Sequence, residues 1–118
     1  MQFATWEPIY LQILQDFGIS SKRDEEAAQL LAKLLEGRDN LFPSAEELVR
    51  EKNTLIFGNA PSLDCEIDML PEINAATIAA DGATAVLLRK GIVPDIVVSD
   101  LDGPFPAILK ASQMGAII

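Results

Sequence analysis

The sequence predicts an α/β fold organised around a parallel sheet. Three apolar runs of strand length, Thr54–Phe57, Thr77–Ala80 and Ile96–Ser99, each finish in glycine, aspartate or serine. Segments of helical character separate them, and strands alternating with helices call for the crossovers of a parallel sheet. The polar residues at the strand ends are the third observation. Ligands of such sheets bind outside the carboxyl ends of the strands, so one pattern predicts both the fold and the place of a site. The expected architecture is a three-layer, Rossmann-like sheet over residues 54–118, after an N-terminal helical region over 1–53. Gly115–Ile118 reads as a fourth strand at which the sequence breaks off, so the chain is expected to be an N-terminal portion.

The first third is helical by period. Trp6, Ile9, Tyr10, Ile13, Leu14 and Phe17 form a continuous apolar stripe, and Gly18 is a natural stop. Asp24 is placed to cap a second helix with the stripe Ala27, Leu30, Leu31, Leu34 and Leu35, ended by Gly37. Ser44 with Glu47 has the spacing of a capping box for a short third helix. All these stripes are expected to pack into a core. From Thr54 the period changes to that of a strand. Asp64–Leu70 fits a brief helix or an irregular crossover. Ala83–Lys90 is expected to be helical, with Val86, Leu87 and Leu88 inward and Gly91 and Pro94 as stop signals. Pro104–Gln113 is the next helix, and Pro106 fits only its first turn.

The composition excludes several function classes. The 118 residues fit one ordinary domain, and a 49% hydrophobic content suffices for a packed core. A net charge of −9 repels nucleic-acid backbone and anionic membrane. The sequence contains no histidine, which rules out Ser-His-Asp and Cys-His nucleophile systems within it and any imidazole metal site. The single Cys65 forms no internal disulfide, reads as a buried small hydrophobe, and suits a reducing cytoplasm. No apolar stretch approaches the roughly 20 residues of a membrane span.

Three loops carry the candidate chemistry. Gly58, Asn59, Ala60, Pro61 and Ser62 form a turn in which small residues admit a phosphate close to backbone N–H groups. They are also ordinary turn residues, and the stretch matches neither a Walker loop nor the dinucleotide fingerprint. Asp81, Gly82, Ala83 and Thr84 follow the second strand; Asp81 serves equally as a helix cap or as a group facing substrate, ribose or a metal-bound water. Ser99-Asp100-Leu101-Asp102-Gly103 is the strongest signal. Asp100 and Asp102, one residue apart, lie on one side of an extended chain, where mutual repulsion favours a shared divalent cation. Mg²⁺ takes one or two carboxylates together with phosphate oxygens. Asp81, Asp100 and Asp102 are therefore the expected metal ligands, and Asp95, at the amino end of its strand, is expected to be structural.

These motifs in this order resemble the archaeal 6-hydroxymethyl-7,8-dihydropterin pyrophosphokinases, related in fold to the thiamine pyrophosphokinase catalytic domain. The residues carrying the resemblance are Gly58–Leu63, Ala79–Thr84, Gly91–Asp95 and Ser99–Gly103, and the helical region opening at Trp6 extends it over nearly the whole chain. The resemblance implies Mg²⁺-dependent transfer of diphosphate from ATP to a hydroxymethyl pterin. It implies that Gly58–Ser62 holds phosphates, that Asp81–Thr84 faces nucleotide or acceptor, and that Asp100 and Asp102 act at the reacting centre as magnesium ligands. The alternatives are a thiamine pyrophosphokinase-like enzyme, a nucleotide-sugar-using domain related to glycosylation proteins, and a non-catalytic nucleotide-binding module. An apolar edge at Gly115–Ile118 predicts self-association.

Overall fold

The computed structural model describes residues 2–50 and 52–118. It divides into two compact units, Met1–Asp39 and Asn40–Ile118.

The first unit is a pair of helices, α1 (Phe3–Phe17) and α2 (Ser21–Leu35). Gly18 ends α1 in the left-handed conformation (φ 63°), where a side chain would be strained. The Tyr10 hydroxyl on α1 donates to the Asp24 carboxylate on α2 at 2.6 Å. Asp24 is therefore not the cap. That role belongs to Ser20, whose hydroxyl accepts the Arg23 N–H at 3.2 Å. The expectation that both stripes are core is also corrected. Among the described residues of this unit only Leu14 is buried, while Phe17 is 75% and Leu34 63% exposed. Two helices share a single seam, and no third element within the unit covers the rest of either stripe.

The second unit opens with α3 (Phe42–Arg50) and continues β1 (Thr54–Phe57), α4 (Leu63–Asp68), β2 (Ala76–Ala80), α5 (Ala83–Arg89), β3 (Ile96–Val98) and α6 (Phe105–Gln113). Helix α3 starts two residues before Ser44, because the Asn40 side chain accepts the Phe42 N–H at 3.0 Å. The segment Asp64–Leu70, which fits a brief helix or an irregular crossover, is helical as far as Asp68. Leu63 and Ile67 of this helix, one turn apart, face the core. Cys65 on the opposite side is consequently exposed, contrary to the buried role expected for it.

The three strands are parallel in the order β1-β2-β3, with Ile56↔Ile78↔Ile96 and Phe57↔Ala79↔Val97 in register. This is the parallel α/β architecture that the alternation of elements predicts. The tail joins it as well. Ile117 bridges in parallel to Ile96, with Val97 N–H donating to the Ile117 carbonyl at 2.7 Å and Ile117 N–H to the Asp95 carbonyl at 2.9 Å.

Phe57, Ala79 and Val97 point to one face and form a single core with Leu63, Ile67, Val86, Leu87, Ile108 and Ala111. Helices α4, α5 and α6 therefore cover that face together, with α5 in the middle. On the opposite face Ile56 is 73% and Val98 62% exposed. Helix α5 closes with Gly91 (φ 78°), its N–H bonded to the Leu88 carbonyl and the Ile92 N–H to the Leu87 carbonyl. That double closure satisfies carbonyls a helix end leaves open, and it returns the chain to the sheet.

Candidate metal centre

Parallel strands place all three predicted loops at one edge, and side-chain contacts tie the loops together. The Asn59 side chain lies against Gly82, where a Cβ would come within 2.9 Å of the Asn59 Cγ. The Ser99 hydroxyl donates to Asp81 Oδ1 at 2.6 Å. Gly103 lies so close to Asp81 that a Cβ there would overlap the carboxylate, 2.5 Å from its Cγ. The first loop thus touches the second, and the second touches the third.

Oxygen atoms of Asp81, Asp100 and Asp102 lie within 4.8 Å of one another. Asp81 is half-buried and the other two are exposed. Asp81 follows β2 directly, with its N–H donating to the Val98 carbonyl at 2.9 Å and its carbonyl accepting the Thr84 N–H at 3.0 Å. Its φ of 42° is in the left-handed region, which a short polar side chain tolerates better than most. The Asp100–Asp102 pair converges by a different route from the one expected. The chain between them is not extended, because Leu101 adopts φ 65°. This kink folds the segment back, so that the Asp102 N–H reaches Asp100 Oδ1 at 3.5 Å. The hydrogen bond from Leu101 N–H to Ser99 Oγ, 2.9 Å, spans the kink.

The neighbouring carboxylates act on Asp102. The Asp102 carboxyl is held above its ordinary range, first by its hydrogen bond with the Asp100 side chain and by the charge there, then by desolvation and the charge of Asp81. The mutual repulsion of crowded carboxylates is what a bound cation relieves. The donor set is oxygen only, which suits a hard divalent ion.

Gly58, Asn59, Ala60, Pro61 and Ser62 are all exposed beside this cluster. Ala83 and Thr84 are not available in the same way. Both are fully buried in the first turn of α5, so their side chains belong to the core and not to the loop surface. Asp95 is at the other edge, where its carboxylate accepts the Thr77 N–H and hydroxyl, both at 2.8 Å. Arg89 and Lys90, at the end of α5 opposite Asp81, pair with α4 and not with the carboxylate cluster, Lys90 with Asp68 at 2.7 Å and Arg89 with Asp64 at 3.5 Å. A cleft at the amino edge, lined by Glu72, Thr77, Ile92 and Asp95, carries no comparable donor set. Sequence reasoning assigned no role to Ser99 or Gly103. The available signal was their position, immediately before and after the Asp-x-Asp segment.

Fold and site define a class: a parallel α/β domain whose carboxyl edge presents three clustered carboxylates beside a small-residue turn. A family model described as 6-hydroxymethylpterin diphosphokinase MptE-like matches residues 28–118, and the chain belongs to that family. Three archaeal relatives named 6-hydroxymethyl-7,8-dihydropterin pyrophosphokinase align with the whole chain. The Methanocaldococcus jannaschii protein is 34% identical over 124 residues and the Pyrococcus furiosus protein 36% over 120. The Methanothermobacter thermautotrophicus protein is 34% identical over 121 residues. The matches cover 52%, 52% and 51% of these proteins, so the chain spans about half the length of the curated relatives it matches. The family is the one the loop motifs resemble.

Proposed function

We propose that this chain supplies the nucleotide- and metal-binding part of an enzyme that transfers diphosphate from ATP to the hydroxymethyl group of 6-hydroxymethyl-7,8-dihydropterin. One observation carries the reading: the convergence of Asp81, Asp100 and Asp102 at the sheet edge that also bears the Gly58–Ser62 turn. The names of the relatives supply the acceptor.

In this reading Asp81, Asp100 and Asp102 hold Mg²⁺, and their oxygen-only donor set fits it. A bound magnesium ion neutralises phosphate charge as it accumulates in the transition state. The chain's own residues do the rest by placement. The exposed turn presents backbone N–H groups and the Asn59 and Ser62 side chains to the phosphates. Gly82, without a Cβ, leaves the Asn59 side chain its place. The acceptor hydroxyl oxygen attacks the β-phosphorus and gives up its proton to solvent, the bond from β-phosphorus to the α,β-bridging oxygen breaks, and AMP departs. Such transfer depends on alignment and charge neutralisation more than on a strong base, so a site without histidine is chemically adequate.

A cytoplasmic setting belongs to the same proposal, supported by one exposed, unpaired Cys65. No helix among the described residues is long and apolar enough to cross a membrane. Self-association through the sheet edges is also part of it, and light scattering tests that directly. The central test is nucleotide binding in the presence of Mg²⁺, measured calorimetrically on the Asp100→Ala, Asp102→Ala double variant. Loss of Mg²⁺-dependent binding is expected, and unchanged binding would make the pair merely structural. In a protein of the relatives' full length, the expected product is AMP. Release of ADP would mean transfer of a single phosphoryl group and would overturn the proposed reaction.

A further inference from the structure

The Ser99 hydroxyl makes two hydrogen bonds whose directions are fixed by chemistry. The Leu101 amide can only donate, so at 2.9 Å the Ser99 oxygen is its acceptor. The hydroxyl proton is then free to go to Asp81 Oδ1, 2.6 Å away. One side chain thus holds the carboxylate at the end of β2 and, at the same time, spans the kink that turns Asp100 and Asp102 toward it. Asp81 Oδ2 occupies the space that a Cβ at Gly103 would fill, so the third loop closes directly against that carboxylate.

We infer that Ser99 is a positioning residue for the metal centre, holding Asp81 and the Asp100–Asp102 loop in the arrangement that receives the cation without being a ligand itself. This rests on the reading of the three carboxylates as a cation site. Ser99 follows β3 directly, so the sheet fixes its backbone on one side and the hydrogen bonds fix its side chain on the other. Partners that orient metal ligands commonly account for about 10–100-fold in metal affinity.

The test uses the whole 118-residue chain and Mn²⁺ alone as the probe, with binding read by electron paramagnetic resonance and stability by thermal denaturation. Ser99→Ala is expected to weaken Mn²⁺ binding by about tenfold or more. Ser99→Thr, which keeps the hydroxyl, is expected to restore most of the affinity. Ser99→Cys replaces the hydroxyl with a weak donor, and is expected to behave like Ser99→Ala; it carries the test if the alanine variant does not fold. Wild-type affinity in a folded Ser99→Ala or Ser99→Cys variant overturns the role of Ser99 and leaves the cation site standing. Equal losses in the Thr and Ala variants also overturn it, since the hydroxyl would then be irrelevant. Absence of Mn²⁺ binding in the wild-type chain overturns the cation site itself, and the role of Ser99 with it.

Discussion

Replacing Gly103 with alanine probes the site without removing any of its functional groups. Gly103 does not have positive φ, so alanine meets no backbone strain there. The added Cβ would instead be 2.5 Å from both the Cγ and Oδ1 of Asp81. Carbon atoms in contact sit about 3.5–4.0 Å apart, so the carboxylate or the loop must retreat by roughly 1 Å or more. The Ser99–Asp81 hydrogen bond is 2.6 Å long, and a retreat of about 1 Å takes it beyond bonding distance. A hydrogen bond to a charged group is worth about 1.5–3 kcal/mol, and partial exposure of the loop puts the stability cost at or below the lower end. Metal binding should suffer more, by about 10–100-fold, because one of the three carboxylates is displaced. Gly58→Ala is the control, since a Cβ there has nothing within 4 Å. Mn²⁺ titration and thermal denaturation of the two variants measure both effects. Wild-type metal affinity in Gly103→Ala would refute the steric reasoning, as would an equal loss in Gly58→Ala.

Three further outcomes follow from particular contacts. Leu87→Ala, at a fully buried site in α5, should destabilise the chain by about 2–5 kcal/mol, whereas Leu34→Ala at an exposed site should change stability by about 0.5 kcal/mol or less; equal effects in chemical denaturation would contradict the assigned core. Asp95→Ala leaves the Thr77 N–H and hydroxyl without their acceptor and should cost about 1–3 kcal/mol with no change in Mn²⁺ affinity, because Asp95 sits at the amino edge; a weakened metal site would place it wrongly. Tyr10 is the only tyrosine, and its phenol is raised above its ordinary range, chiefly because the Asp24 carboxylate accepts its proton. The folded chain therefore holds that proton more tightly. The contribution to stability is complete below the ordinary phenol pKa of about 10 and is lost as pH rises through the folded value. Ultraviolet titration of Asp24→Asn should return the midpoint to the ordinary range, and an unchanged midpoint would show that the hydrogen bond does not form in solution.

The sequence by itself determined the order and type of the elements and the loops that matter. Short β-branched runs punctuated by glycine, proline and aspartate are local signals, and Gly91 and Gly18 stop their helices as the local rules require. Alternation of strand and helix then leaves a parallel sheet as the economical topology, which brings Asp81, Asp100 and Asp102 to one edge. Tertiary structure decided what local rules do not reach. Burial of Leu14 alone among the described residues of the first unit depends on how many elements surround a stripe, not on its period. Cys65 is exposed because Leu63 and Ile67 claim the inward face of a six-residue helix. Thr84 reads as a candidate binding residue yet is sealed in the core by the first turn of α5. The carboxylates converge through a left-handed kink at Leu101 and a shared hydroxyl at Ser99, where the sequence suggested simple strand alternation. Each of these outcomes rests on contacts between segments distant in the chain or on backbone angles that residue type leaves open, and both are fixed only when the loops meet.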